Sequence, residues 1–386
     1  MNNLPLHIVA DENIPAVESL FGSFGSIRRL PGRHLKREDV ADADVLLVRS
    51  ISQVNAGLLA GSSVRFVGTA TIGTDHIDQA YLQEQDISFS SAPGCNADAV
   101  VEYVISCLYM LAAEQNFELL GKTVGIVGVG NVGGRLQRRL SGMGLNVLIN
   151  DPPRAERETD SNEQFTALEQ LLSEADIVCC HTPLTTTGSH PSKHLLNQDN
   201  LDSLKQGAIL LNAGRGPVIN NQDLLNWHRQ REDVTLILDV WEHEPAVDAE
   251  LAARVRIGTP HIAGYSLEGK VRGTFMLYEA FCQAQDILPE LTLDDCLPAA
   301  ELTDLTLNKT VDVRQAIDAV YHPAADDRRF RNSLLDTVQQ PVNFDRLRKE
   351  YPVRREFSSL TLHGVDSDSV DGRLLLSLGF KLGGQI

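Results

Sequence analysis

Three residues of this sequence carry side chains suited to moving a proton at an oxygen-bearing carbon, and each stands beside a short apolar run. Arg215 follows AILLNAG, Glu244 lies in TLILDVWEHEP, and His261 lies in GTPHIAGYS. An arginine grips a carboxylate with two parallel N–H bonds and polarises the oxygen beside it. An imidazole takes up a hydroxyl proton and returns it in the reverse direction. A carboxylate partner orients that ring and favours its charged form. Taken singly, each residue has a plain reading: a loop charge, a solvated acid before Pro245, a histidine at a strand end. His181, His190, His194 and His243 are left with that plain reading.

A second motif raises the first above coincidence. The apolar run TVGIVG leads into Gly128-Val129-Gly130-Asn131-Val132-Gly133 and then into a helical pattern. Glycine at 128 permits a tight turn, at 130 a close approach of backbone to a pyrophosphate, and at 133 close packing of helix on strand. Phosphates would rest on the free N–H groups of the helix N-terminus. Asp151 ends the next apolar run, NVLIND, at the distance where a carboxylate accepts from the ribose hydroxyls and repels a 2′-phosphate, which favours NAD over NADP. Arg154 close by leaves NADP open. With a dinucleotide in place, Asp239 is positioned in sequence to accept from the nicotinamide carboxamide, and the hydride chemistry is the cofactor's.

The elements that must hold these residues can be read from apolar periodicity. LHIVA (6–10), DVLLV (44–48) and RFVGT (65–69) read as buried strands alternating with helix-capable segments. Residues 96–113 carry apolar side chains at helical spacing and lead into a second set of strands: 123–128, 146–150, 176–180, 208–212 and 235–240. Five strands with crossovers describe an open, doubly wound sheet, which places ligands at the C-terminal strand ends. Beyond about 290 the character changes, first to acidic residues and leucines, then to the basic, aromatic FDRLRKEYPVRREF (344–357) and the strand-like GRLLLSLGF (372–380).

The chain of 386 residues is too long for one core. Its net charge of −18 argues against nucleic-acid and anionic-membrane partners, though a local arginine cluster can still take an anionic metabolite. No apolar run reaches membrane-spanning length, and the first residues show no secretory pattern. The six cysteines form no CxxC pair and read as reduced residues of a cytoplasmic protein. The 11 histidines show no metal-ligand spacing, so no metal is expected.

The segments GIVGVGNVGGR, LLNAGRGPVIN, ILDVWEHEP and TPHIAGYSLEGKVRGT resemble the D-isomer-specific 2-hydroxyacid dehydrogenases. VRSISQVN (48–55), VGTATIGTDHID (67–78), SAPGCNADAVVEY (91–103) and FDRLRKEYPVRREFSSL (344–360) extend the resemblance to nearly the whole chain. They point to the branch acting on a phosphorylated sugar acid in vitamin B6 synthesis. The match is weakest near 154–165, 284–300 and 361–386. The resemblance implies Arg215, Glu244 and His261 as active-site residues. It implies NAD contacts from Asn131, Val132, Asp151, Thr182, Ala213, Gly214, Asp239 and Gly264, and substrate contacts from Ser50, Thr71 and Tyr265. The expected fold class is α/β, with two doubly wound Rossmann-like domains. A split substrate domain (1–98, completed by about 270–288) accompanies an NAD-binding domain (99–269). A small α+β domain (289–386) is expected to make a homodimer.

The backbone N–H groups of residues 71–73 can form a nest for the substrate carboxylate. A substrate phosphate needs cations. Arg49 beside Ser50 is one candidate, and Arg346, Arg348, Arg354 or Arg355 is expected to supply another, even across a dimer. The histidine-rich 183–197 segment departs from the family pattern and reads as a surface variant. Three other readings stay open: a sister dehydrogenase of 3-phosphoglycerate, glyoxylate or hydroxypyruvate, an NAD(H)-sensing corepressor-like protein, and a structural dimer with a vestigial site.

Overall fold

Short apolar runs, covered on both faces, become the strands of two parallel sheets. The computed structural model describes residues 5–158, 163–307, 312–336 and 338–384. It forms two compact units, Met1–Asn96 with Ser266–Ala299, and Ala97–Tyr265 with Ala300–Ile386.

In the first unit β1 (Leu6–Asp11), β2 (Gly25–Leu30), β3 (Val45–Val48), β4 (Phe66–Thr69) and β5 (Ser88–Ser91) form one sheet in the order β2-β1-β3-β4-β5. All its pairings are parallel. Every residue of β3 and β4 is buried, as crossover helices on both faces require. The helix Leu267–Ala284, capped by Ser266 Oγ accepting from Gly269 N at 2.9 Å, completes this unit. It sets Leu277, Tyr278, Phe281 and Cys282 into one cluster with Phe21, Phe24 and Phe66. Side chains of this size contribute about 1.5–3 kcal/mol each on burial, so residues 1–96 alone leave their core unfinished.

The second unit opens with the helix Ala97–Gln115, buried along most of its length. Its main sheet contains β6 (Thr123–Val127), β7 (Asn146–Asn150), β8 (Ile177–Cys180), β9 (Ile209–Asn212), β10 (Thr235–Leu238) and β11 (Ile257–Gly258). The order is β11-β10-β9-β8-β6-β7, parallel throughout. Strand order reverses at β6, so the crevice for a ligand opens beyond the C-terminal ends of β6 and β8. The α/β, doubly wound expectation is borne out in both sheets.

Residues from Ala300 onward add a small parallel sheet, β12 (Asp304–Thr306), β13 (Thr361–His363) and β14 (Lys381–Leu382), together with helices. Their apolar side chains, Ile317, Tyr321, Phe357, Leu375 and Phe380 among them, share one core with Val104, Leu108 and Leu136. The sequence reading sets a boundary at 289; here residues up to Ala299 close the first unit and the remainder packs into the second. The strand-like run 372–380 is instead the helix Val370–Leu378. Ser369 caps it, accepting from Gly372 N at 2.9 Å, Leu375 and Leu378 point into the core, and Gly379 at φ 104° ends it.

Candidate active site

The glycine loop leaves β6 at the reversal point of the second sheet. Gly128 has φ 90°, and a Cβ there would lie 2.7 Å from Thr182 N. A Cβ on Gly133 would lie 2.0 Å from Gly128 O, so helix Asn131–Gly142 can seat only with glycine at that position. Gly130 differs: a Cβ would meet nothing within 4 Å, so the backbone there faces open space. Gly130 is also the N-cap and supplies no side-chain acceptor, which leaves the first N–H groups of the helix, at Asn131 and Val132, for an anion. Asp151, at the end of β7, accepts from Val129 N at 2.8 Å and Arg154 N at 3.0 Å, and so fixes the loop it was expected to serve. Arg154 is committed elsewhere, to Glu158 at 2.9 Å and Glu163 at 2.8 Å, with Val129 O at 3.2 Å. Beyond β8, the Oγ1 of Thr182 and both ring nitrogens of His181 are buried without a hydrogen-bond partner among the described residues. Burial pushes the His181 pKa down to about 4. After β9, Asn212 Oδ1 accepts from Gly214 N at 3.0 Å, and Gly214 lies against the carbonyl of Cys180. An open cradle, free helix amides and a carboxylate at the ribose position fit a dinucleotide.

The residues expected from the sequence to transfer a proton follow the neighbouring strands. Glu244 is fixed by Oε1 accepting from Trp241 N at 2.8 Å, while Oε2 lies 2.8 Å from His261 Nδ1. The two side chains are 19% and 33% exposed, so the pair is sheltered but reachable. With Nδ1 held, Nε2 is the ring atom left to face a substrate. His261 has φ 59°, in the left-handed region, and its own N–H donates to Asp239 O at 2.7 Å. The buried Asp239 carboxylate accepts from Thr259 Oγ1 at 2.6 Å, Ile262 N at 2.8 Å and Ala263 N at 3.0 Å. Burial raises its pKa, against the pull of His261 and these three donors. Asp239 therefore ties down the histidine loop, and one acceptor position on Oδ2 remains for an amide. Arg215 is exposed after β9, its Nη1 donating to Gly214 O at 2.9 Å. Its loop is pressed on the Trp241 carbonyl, since a Cβ on Gly216 would come within 1.9 Å of that oxygen. Arg215 thus sits on a loop in backbone contact with the turn that carries Glu244.

A family model described as the NAD binding domain of D-isomer specific 2-hydroxyacid dehydrogenases matches residues 109–263. A domain of unknown function matches residues 296–379. The chain is 51% identical over 382 residues to an erythronate-4-phosphate dehydrogenase of Pseudomonas aeruginosa, covering 98% of this chain and 100% of the relative. It is 49% identical over 380 residues to the Proteus mirabilis protein of the same name, covering 97% and 99%. The chain belongs to the erythronate-4-phosphate dehydrogenases. As such it is an NAD-dependent oxidoreductase acting on a CH–OH group. Solved structures similar in fold include a D-lactate dehydrogenase with NAD+ from Lactobacillus jensenii, at TM-score 0.60, 19% identity, and coverage of 74% of this chain and 99% of that one. Another is a cofactor-bound 3-phosphoglycerate dehydrogenase from Entamoeba histolytica, at TM-score 0.57, 24% identity, and coverage of 73% and 95%.

In this dehydrogenase Arg49, Ser50 and Thr71 belong to the first unit, at the C-terminal ends of β3 and β4. A chain of hydrogen bonds fixes the Thr71 loop: His76 Nε2 to Thr69 Oγ1 at 2.9 Å, Thr69 to Thr71 at 2.8 Å, and Thr71 Oγ1 to Gly73 O at 3.0 Å. Lys270, which sequence reasoning passed over, stands in the field of Arg49; burial first, then Arg49, lowers its pKa. Tyr265 and Gly264 lie in the second unit with His261. The Tyr265 ring packs edge-on against Tyr351 at 5.6 Å and under the Arg348 guanidinium at 5.9 Å.

The four tail arginines separate. Arg354 is 5% exposed, donates to the carbonyls of Ala99 and Ala263, and stacks over Tyr321, so it is removed from the phosphate candidates. Arg346 is exposed and bonded to Asn343, and Arg355 is also engaged. Arg348 keeps its Nε buried and unpartnered among the described residues. The 183–197 segment is pinned by Thr185 and Ser192, by His190 on Glu156 at 2.7 Å, and by His194 on Glu242. The six cysteines are all free thiols, five of them buried. No helix among the described residues is long and apolar enough to cross a membrane.

Proposed function

We propose that the enzyme oxidises 4-phospho-D-erythronate to 2-oxo-3-hydroxy-4-phosphobutanoate in the cytoplasmic synthesis of vitamin B6, acting as a homodimer through its C-terminal residues. The name of the relatives supplies the substrate. The observation that carries the chemistry is the His261 Nδ1–Glu244 Oε2 bond of 2.8 Å beside the dinucleotide cradle.

Bound NAD would supply the hydride acceptor for C2 of the substrate. His261 Nε2 takes the proton of the C2 hydroxyl as the C–H bond breaks, so a C=O forms and the proton stays on the imidazole. Glu244 then faces a cation rather than a neutral ring, a gain realised only as the reaction proceeds. Arg215 grips the carboxylate and polarises the 2-oxygen. Gly128, Gly130, Asn131, Val132 and Gly133 would hold the pyrophosphate, and Asp151 would hold the adenosine ribose. Thr182, Ala213, Gly214, Asp239 and Gly264 line the remainder of the cofactor site. Ser50, Thr71 and Tyr265 contact the substrate. Support for an anion nest comes from the amides of residues 71–73, which have no acceptor among the described residues. Paired cations suit the dianionic phosphate, and Arg49 with Lys270 in the first unit provides such a pair.

The test is NADH formation with 4-phospho-D-erythronate, 3-phosphoglycerate and D-glycerate, with a 2-keto acid acceptor run in parallel to turn over retained NADH. Preference for 4-phospho-D-erythronate, lost in His261→Ala, is expected. Equal or better turnover of 3-phosphoglycerate overturns the substrate. An active His261→Ala overturns the mechanism, and NAD binding without any turnover favours a sensor.

A further inference from the structure

The histidine loop, residues 258–265, is held from one side by Asp239 and from the other by the C-terminal residues. Asp327 Oδ1 accepts from Gly258 N at 2.8 Å. Phe330 stacks on Trp241 at 5.1 Å, and the Trp241 indole N–H donates to Thr259 O at 3.0 Å while its backbone N–H holds Glu244. Arg354 Nη2 donates to Ala263 O at 3.0 Å, two residues beyond His261. Tyr351 packs on Tyr265 at 5.6 Å. We propose that the C-terminal segment is the clamp that sets the geometry of the catalytic loop, with Arg354 as its central positioning residue; this rests on the reading of His261 as the proton acceptor.

A buried guanidinium is costly unless its surroundings use its charge and its several donors. Arg354 joins two backbone carbonyls from separate segments, Ala99 at the start of the long helix and Ala263 on the histidine loop, and its Cζ lies 4.3 Å from the Tyr321 ring centroid. Both bonds come from Nη2, while Nε and Nη1 are buried without a partner among the described residues, so the joint rests on that one nitrogen and on the charge over the Tyr321 ring. The clamp is itself anchored: Glu102, 1% exposed on the same helix, accepts from Phe357 N at 3.0 Å, and Arg139 donates to Leu378 O at 2.7 Å. Tyr321 and Tyr351 both donate to Asp326, at 3.0 and 2.6 Å.

The loop needs such support. His261 is in the left-handed region that a side chain other than glycine adopts only when its surroundings over-determine it. The Asp239 bonds fix Ile262 and Ala263 by their N–H groups, and Arg354 fixes Ala263 by its carbonyl. The dehydrogenase family model matches residues 109–263 and a separate domain model matches residues 296–379, so the segment is a module of its own that here reaches back to the loop of His261.

The experiment uses the full chain as Arg354→Met and Arg354→Lys, with His261→Ala as reference. Steady-state kcat with 4-phospho-D-erythronate, NAD affinity by fluorescence titration, and hydrogen exchange of peptides covering 258–265 are measured together. Arg354→Met is expected to lower kcat by about 10- to 100-fold, since small displacements of a reacting group have effects of that size. NAD affinity is expected to stay within about twofold and exchange to rise in 258–265, with Arg354→Lys partly restoring all values. Arg354→Met with kcat within twofold of the parent overturns the clamp. So does a parallel loss of kcat and NAD affinity, which marks a general structural role. If Arg354→Met fails to fold, the same criteria are applied to Arg354→Lys. An active His261→Ala refutes the catalytic reading itself, while an inactive His261→Ala beside unaffected Arg354 variants refutes only the clamp.

Discussion

Glu244→Gln isolates what the carboxylate does for His261. Oε1 accepts from Trp241 N and Oε2 from His261 Nδ1, both at 2.8 Å. Glutamine has one oxygen for these two donors. With its oxygen on Trp241, its NH2 faces Nδ1, which must then carry the lone pair; the ring proton moves to Nε2 and the base is disabled. With its oxygen on His261, the NH2 meets the Trp241 N–H and one sheltered amide loses its acceptor, at about 1–2 kcal/mol. The charge that stabilises the imidazolium is also gone. Unit charges 4 Å apart at an effective dielectric of 20 interact by about 4 kcal/mol, and partial exposure of the pair reduces this to about 2 kcal/mol. Together they raise the barrier by about 3–4 kcal/mol, or about 10²- to 10³-fold in kcat. The assay is kcat with 4-phospho-D-erythronate, with NAD affinity as control. A drop below fivefold with intact NAD binding would refute the pairing argument.

Gly130→Ala is expected to leave the melting temperature within about 2 °C and to weaken NAD by at least about tenfold, because its Cβ would enter open space where the backbone must approach phosphate. Gly133→Ala is expected to destabilise by about 2 kcal/mol or more, its Cβ lying 2.0 Å from Gly128 O; equal melting temperatures for the two variants count against this. His181, held down to about 4 by burial, stays neutral in the folded chain while the unfolded chain takes up its proton below about 6.5. Its contribution is present above pH 6.5 and lost as pH falls toward 4, by about 3 kcal/mol, so His181→Gln is expected to flatten the acid side of the urea-denaturation profile by that amount; parallel profiles argue otherwise. Arg49→Ala is expected to raise KM for 4-phospho-D-erythronate about tenfold or more but hardly alter that for D-glycerate, and equal changes in both would remove Arg49 from the phosphate.

The parts legible in the sequence are those with a local signature. Strands such as Val45–Val48 and Ile177–Cys180 are uninterrupted apolar runs because both faces are covered. The glycine loop and Asp151 are read from spacing because a βαβ turn imposes it. The strands β2, β5 and β11 escape the reading. GSIRRL and SFSS lie on edges of their sheet and remain partly exposed, and β11 has two residues. The run 372–380 reads as a strand from its leucines, yet Leu375 and Leu378 are three apart and buried while Leu376 is 46% exposed. Arg354 has no local signal at all: it stands beside Arg355 in a basic run, and only the tertiary structure makes one of them a core residue. Asp239 reads as a cofactor contact in the sequence, yet its bonds to Thr259, Ile262 and Ala263 span a distance that no periodicity marks.

The helix that finishes the first unit follows residues 97–265 of the second in sequence. On the ribosome, Phe21, Phe24 and Phe66 emerge about 200 residues before Leu277 and Phe281, an interval on the order of 10–40 s at ordinary elongation rates. Through that interval the nascent chain displays a greasy, half-assembled surface while its nucleotide-binding sheet is being made. Apolar surface left open in this way is aggregation-prone until the helix arrives. Moving residues 266–299 to the N-terminus in a permuted gene would let the first unit close as it leaves the tunnel.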